Sequence, residues 1–489
     1  MKRTSLTTAV IAGIAGVAGI SNMASAVYLN NDGLGQVLIY PYYTVNAGNT
    51  TLLTVVNTTA AGKAVKVRFL EAYDSREVLD FNLYLSPHDV WTAGVVPVGQ
   101  GAGVWTNDNS CTVPTVPTGG AANAYPFQTS AFDGGVLPTD GGPTDVTRTL
   151  EGYVELIEMG TVTNTTNNSL KAITHSNGVP SNCGQVYGAW NGGYWASDAS
   201  IDIGPSTGGL FGSGAIVNVA EGVISGYNAD AIDQFYTAND LITHHTAPGS
   251  LSPSIASATS TTSYVFAPSP TSSTPTLITT TYAAGVDAVS SLFMADAIYN
   301  EYWTSGGTAA NSEWVVTFPT KRFYVDPASA TGGLSPFDVL FTSKNGGTSC
   351  ASIGISSYDR EEKSPAGSIN FSPAPVYGNA LCYEAQVVTF NQGKGASVVL
   401  GSNLTANINT GANNGWVQID LYGKSPANHI LPASYTINSS NVFRGLPVTG
   451  FWVAELVNGN VGGVLSNYSA LFRHKLHRTC AQTSGSTCS

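Results

Sequence analysis

A serine nucleophile needs a hydroxyl placed beside a base, and this chain offers many hydroxyls but no setting for one. Gly212-Ser213-Gly214 lacks the spacing of a G-x-S-x-G nucleophile elbow. The available bases are His88, His175, His244, His245, His429, His474 and His477, and no sequence neighbour marks any of them as activated. Metal binding would need imidazole and carboxylate ligands brought together. His244-His245 follow Asp230, Asp233 and Asp240, and His474 and His477 are three apart, but neither group shows HExxH or a calcium-loop spacing. The second pair also sits in the basic run Arg473-His474-Lys475-Leu476-His477-Arg478, which repels cations. These read as surface histidines and a solvated basic tail, the latter suited to pairing with the acidic bulk of another subunit. No catalytic residue, metal site or cofactor is assigned.

Glycoside cleavage needs two acids across one cleft. Glu155 and Glu158 lie three apart, on opposite sides of a strand; Glu71 and Asp74 flank a turn; Glu301 has aromatic company in Tyr299-Asn300-Glu301-Tyr302-Trp303. Each acid reads most simply as solvated. The aromatic groupings are a stronger signal. Tyr40, Tyr42 and Tyr43 are expected to contribute to a core, whereas aromatics set among Gly, Asn and Ser make surfaces for sugars or proteins. The ligand-contact candidates are therefore Tyr187, Trp190, Tyr194 and Trp195, with Tyr299, Glu301, Tyr302 and Trp303.

Charged residues are only 10% of the 489, and the net charge is −12. An average soluble domain carries about 25% charged residues. Gly, Ser, Thr and Asn replace the missing charge, a surface chemistry suited to packing against neighbours or carbohydrate. Nucleic acid is excluded as a partner for want of a basic face. Lys2 and Arg3, the apolar run 6–20 and Ala24-Ser25-Ala26 form an export signal, with the mature chain starting near Val27. Cys111, Cys183, Cys350, Cys382, Cys480 and Cys488 fit disulfides in an oxidising compartment. Sequence does not choose among their connectivities, but proximity favours 480–488 and 350–382, leaving 111–183. No segment after the signal reaches the ~18 apolar residues of a membrane helix, and an outer-membrane barrel is disfavoured by imperfect alternation and by the polar C-terminal residues.

The elements that would position these groups are mostly strands. Runs 36–44, 51–57, 64–71, 78–85 and 90–96, separated by turns, have the rhythm of a β-sandwich, and 152–159 returns as a further strand. Pro41 points to a sheet edge or a bulge. The alternation in 64–71 predicts one wet face, and in 78–85 it sets Val78, Asp80, Asn82 and Tyr84 against Leu79, Phe81, Leu83 and Leu85. Residues 99–147 read as a long decorated loop. Residues 288–303 show helical spacing, and later strands are expected at 314–318, 322–325, 339–342, 385–390, 397–400, 416–422, 450–456 and 463–472. The division is a signal at 1–26, a first β-sandwich with long loop insertions at 27–245, a Ser/Thr/Pro-rich linker-like segment at 246–282, and a helix with a second β-rich region at 283–489. The glycine-bracketed runs 152–160 and 415–423 hint at internal duplication.

Val27-Tyr28-Leu29-Asn30 with Gly33-Leu34-Gly35-Gln36-Val37-Leu38-Ile39-Tyr40-Pro41-Tyr42-Tyr43 resembles the mature start of a group of exported Gram-negative "cell surface proteins" of unassigned function. The resemblance continues in Arg76-Glu77-Val78-Leu79-Asp80-Phe81-Asn82-Leu83-Tyr84-Leu85-Ser86-Pro87, Asp89-Val90-Trp91, Trp314-Val315-Val316-Thr317-Phe318-Pro319-Thr320-Lys321 and Asn458-Gly459-Asn460-Val461-Gly462-Gly463. It implies a surface location and transfers no catalytic residue. The expectation is a mainly β protein of one or two immunoglobulin-like sandwiches with long loops and one packed helix, exported to the cell surface or beyond, with the periplasm as the alternative. Its expected role is non-catalytic, through self-association or adhesion to other surface proteins; the competing role is carbohydrate binding or cleavage.

Overall fold

Residues 37–44 pair along their whole length with 151–157, and the largest sheet grows outward from these two strands. In the computed structural model the described residues are 26–489 except 238–239, 241–242, 270–271, 305–308, 331–332, 365–368, 372–378, 391–395, 438, 485–487 and 489. The expected export signal at 1–26 lies outside them save for Ala26. The chain is mainly β, 46% strand and 12% helix. In the large sheet the strands run in the order Ser272–Thr281, Thr262–Ser269, Ala26–Leu29, Asp230–Asp233, Val37–Thr44, Glu151–Val162, Gly62–Glu71, Glu77–Leu85, Cys111–Val113. A six-stranded sheet, Val223–Asn228, Leu210–Asn218, Asn49–Asn57, Val90–Val98, Gly101–Trp105 and Tyr125–Pro126, packs against it. Leu38, Tyr40, Val65, Val67, Phe81 and Leu83 from one sheet meet Leu53, Val55, Trp91, Val95 and Ile216 from the other in one apolar core.

Local chemistry explains several details. Pro41 sits at a bulge, where the pairing steps from Gly152–Tyr43 to Val154–Tyr40; it lacks the N–H that an unbroken ladder would require. Gly212 and Gly214 belong to the Leu210–Asn218 strand, where a Cβ would fall 1.9 Å from the Tyr40 hydroxyl and 2.2 Å from the Tyr227 ring. Ser213 between them shares a hydrogen bond with the Thr54 hydroxyl across the sheet (2.9 Å). In 77–85 the expected faces hold except at Val78, which a register shift turns into the core.

The outer face of the large sheet is covered as well. Val37, Ile39, Tyr153 and Ile157 share a second core with the helix Gly285–Phe293 and with Ile298, Trp314, Val316, Val417 and Ile419 from the C-terminal half. The expected wet face of 64–71 is therefore absent, and every residue of Gly62–Glu71 is buried. The expected 288–303 helix stops early. Its N-terminal part belongs to the wholly buried helix Gly285–Phe293, while Ala297–Trp303 is a strand between Asn414–Asp420 and Lys475–His477. Ile298, Tyr299, Tyr302 and Trp303 are strand formers whose chance spacing mimicked a helix. Further helices occur at Cys183–Trp190, Ser169–Ile173, Tyr194–Ser197 and Arg322–Val325, the last where a strand was expected. The linker-like segment contributes the hairpin Thr262–Ser269 and Ser272–Thr281, joined to the N-terminal strand.

Residues 397–400, expected as a strand, instead form a loop around a buried acid. Glu313, on the strand Ala310–Thr317, accepts the N–H groups of Val398 (2.6 Å), Val399 (3.1 Å) and Leu400 (3.0 Å) and the Ser397 hydroxyl (2.7 Å). Removing the carboxylate strands three backbone donors, each costing about 1–3 kcal/mol. Glu313→Ala is therefore expected to lower the unfolding free energy by about 3 kcal/mol or more in urea titrations, and to open residues 397–400 to proteolysis. Ser397→Ala, which removes only the hydroxyl, should cost about 1 kcal/mol.

Candidate functional site

Three disulfides join Cys111–Cys183, Cys350–Cys382 and Cys480–Cys488, the set that proximity favours. They fit an oxidising extracellular or periplasmic setting. Cys111–Cys183 pins the helix Cys183–Trp190 against the edge of the large sheet, and the 187–195 aromatics fold around that anchor. Tyr84 stacks on Trp195 (5.2 Å) and its hydroxyl accepts Trp190 Nε1–H (2.7 Å); His245 Nε2 shares a hydrogen bond with the same hydroxyl (2.8 Å). Trp195 is 1% exposed, Trp190 and Tyr194 are half-buried, and Tyr187 points outward at 48%. The arrangement is a small aromatic core with one exposed ring.

The second aromatic group divides by strand alternation. Tyr302 is buried and stacks on Phe390 (5.3 Å), and Trp303 meets Trp452 edge-on (4.9 Å). Trp303, at the end of the strand, is half-buried, while Tyr299 and Glu301 lie on the outer face, opposite Tyr302. There Glu301 is opposite Trp416, which is opposite Tyr358 on the next strand. Trp416 stacks on Tyr358 (4.7 Å), lies 6.4 Å from Tyr299 and is 40% exposed. A strip Tyr299–Trp416–Tyr358, edged by Glu301 and Gln418, thus presents ring faces beside hydrogen-bonding groups. Trp416 and Tyr358 were missed because neither stands in an aromatic cluster in the sequence; only period-two alternation in 414–420 could have brought them out.

His244, His245 and His474 take structural roles. His245 is buried with Nδ1 at the Ala199 carbonyl (2.8 Å), and burial lowers its pKa to about 4. His244 stacks on Tyr236 (3.8 Å) and meets Asp240 at 3.0 Å. His474 is buried against the Val315 carbonyl (2.8 Å), and Arg473 pairs with Asp230 of the same chain. The basic run is thus partly internal and not a solvated tail. Among the described residues no group of three or more His, Cys, Asp or Glu is placed to hold a metal.

The acids read as solvated are the largest correction. Glu155 pairs with Arg68 (2.8 Å) and Glu158 with Lys63 (2.8 Å), all four side chains at most 2% exposed. Glu71 accepts Arg148 Nε (2.8 Å) and Nη2 (2.9 Å) as well as the N–H groups of Tyr73, Asp74 and Arg76. The turn so held reaches the C-terminal half. Ala72 O accepts the N–H groups of Glu384 and Ala385, and Arg76 Nη2 donates to Asp326 (2.8 Å). Ser75, at φ 54°, accepts Arg322 Nη1 on its carbonyl (2.8 Å) and donates its hydroxyl to Glu384 (3.0 Å). Asp74 is buried with neither oxygen hydrogen-bonded by the described residues, and desolvation with the surrounding acids raises its pKa well above the usual range. Glu71, Ser75, Arg76 and Glu384 thus join the two halves.

No protein-family model, no curated protein and no solved structure matches the chain.

The buried acids give a signed pH dependence. Burial pushes Glu384 up to about 8 and Glu455 up to about 7. A carboxyl whose folded pKa exceeds its unfolded value contributes stability that is complete below the unfolded value, about 4.5, and is lost as pH rises through the folded one. His245 and His474, lowered to about 4, act in the opposite sense only below about 6.5. Unfolding free energy is therefore expected to fall from pH 6.5 to 8, by up to about 1.4 kcal/mol per pH unit for each such group. Glu384→Gln should flatten the slope; a wild-type stability constant across this window contradicts the assignment.

Proposed function

We propose that this is a non-catalytic exported surface or extracellular-matrix protein that works by self-association or adhesion. Its two β-rich regions are read as immunoglobulin-like sandwiches that carry contact faces. The observation behind the proposal is the outer face of the six-stranded sheet. Pairing sets Val217 beside Thr50 and Ile224, Ala215 beside Leu52 and Gly226, Ser213 beside Thr54 and Asn228, and Phe211 beside Val56. Val90 and Thr92 extend the face, and none of these positions is charged. Leu52, Phe211, Ile224 and Val90 are exposed there.

Copies of a chain with net charge −12 repel one another, and that repulsion is least where two uncharged faces meet. The resemblance to exported surface proteins and the three disulfides support the same location. Among the described residues no helix is long and apolar enough to cross a membrane. A second reading, glycan binding, draws on the Tyr299–Trp416–Tyr358 strip, whose exposed ring beside Glu301 and Gln418 suits sugar stacking.

Sedimentation velocity and negative-stain microscopy of the exported protein should show oligomers or filaments. A charge on the face, as in Leu52→Glu with Ile224→Glu, should weaken association at least about tenfold through like-charge contact. Persistent monomer at high concentration contradicts self-association, and glycan-array binding by that monomer would favour the second reading.

A further inference from the structure

The strand Glu77–Leu85 is paired on its outer side only at Asn82, Leu83 and Tyr84, with the strand Cys111–Val113. Beside the stretch 77–81, which pairs with no further strand among the described residues, lies an open cavity of about 330 Å³, lined also by residues from 114–116, 125–136 and 248–251. Its apolar walls come from Val78, Phe81, Val104, Val116, Tyr125 and Leu251. Among the described residues, Glu77 and Asp80 are the only formally charged ones that line it, and no Lys, Arg or His does.

Both carboxylate side chains are only 7% exposed. Each is held through one oxygen. Arg68 Nε donates to Glu77 Oε2 (2.6 Å); Lys66 Nζ (2.6 Å) and the Gly249 N–H (2.9 Å) donate to Asp80 Oδ2. Glu77 Oε1 and Asp80 Oδ1 accept no hydrogen bond from the described residues. The two carboxylates are thus fixed from behind by buried cations, while one oxygen of each remains open to donors.

We infer that this cavity binds a small amphipathic cation, an ammonium group carried on an apolar body. The open oxygens require donors, the lining carries negative charge alone, and the walls offer dispersion contact to an apolar group. A cavity of this size lies at the lower end of small-molecule sites, matching a single ring or short chain. Burial holds the Glu77 carboxyl above its usual range, and an ammonium bound beside it favours the charged form. Affinity should therefore rise with pH while the ligand stays protonated, and fall with salt.

The test is calorimetric titration of the full exported protein with 2-phenylethylammonium, 2-phenylethanol and 3-phenylpropanoate, which share an apolar body and differ in charge. The cation should bind at least tenfold tighter than the other two. Val136→Trp places bulk at the 64% exposed rim of the cavity and leaves both ion pairs intact. It should abolish binding without shifting the unfolding midpoint, and Asp80→Asn should weaken binding at least tenfold. If Asp80→Asn fails to fold, the rim variant and the three-ligand comparison still decide. Equal binding of the three ligands, no binding of the cation at about 10 mM, or undiminished binding by a folded Val136→Trp overturns the inference.

Discussion

The Arg148 guanidinium grips both oxygens of Glu71 and also donates to Asp140, with the side chains of all three wholly buried. Much of the molecule depends on that clasp. With Arg148 holding it in place, Glu71 accepts three backbone N–H groups of the turn that follows it. The turn in turn offers Ala72 O, Ser75 and Arg76 to the C-terminal half. Removing either partner would leave an uncompensated charge inside the protein, at a cost of about 3–5 kcal/mol. The pairing therefore makes the junction specific: a slipped register would leave buried carboxylates without donors.

The same principle recurs at Glu313, Glu158 and Asp202, each a carboxylate that gathers backbone N–H groups from a loop. It explains how a chain so poor in charge can depend on charge. Lys63, Lys66, Arg68, Arg76, Arg148, Lys321 and Arg322 are all buried, out of 19 Lys and Arg in the whole sequence. Much of the charge wires the interior, and the exterior is correspondingly rich in Thr, Ser, Asn and scattered apolar groups. An uncharged sheet face that suits contact between copies is one consequence.

The first sandwich was legible in the sequence because its strands alternate and its turns are regular, so 36–44, 51–57, 78–85 and 90–96 lie close to their observed bounds. The disulfides followed from nearness along the chain. What failed was whatever depended on a second layer. Lys66 and Arg68 alternate as a wet face should, but residues 246–249 lie over them and accept from or donate to that face. Nothing local to 64–71 signals that cover. Glu155 and Glu158 misled for the same reason, and Asp140 lay in a stretch read as a decorated loop. Of the candidates, Tyr299 and Glu301 fall on an open face beside Trp416 whereas Tyr302 turns inward, and only the sheet register separates them; Trp195 turns inward from a short helix.

That a subset of the charges wires the interior can be read from the lysines of the native protein. Amine acetylation followed by peptide mass spectrometry should modify Lys171, Lys344, Lys363, Lys424 and Lys475, which are exposed. Lys63, Lys66 and Lys321 should stay unmodified until the protein is unfolded. Acetylation of those three at the rate of the exposed set, in protein that is still folded, would contradict the account.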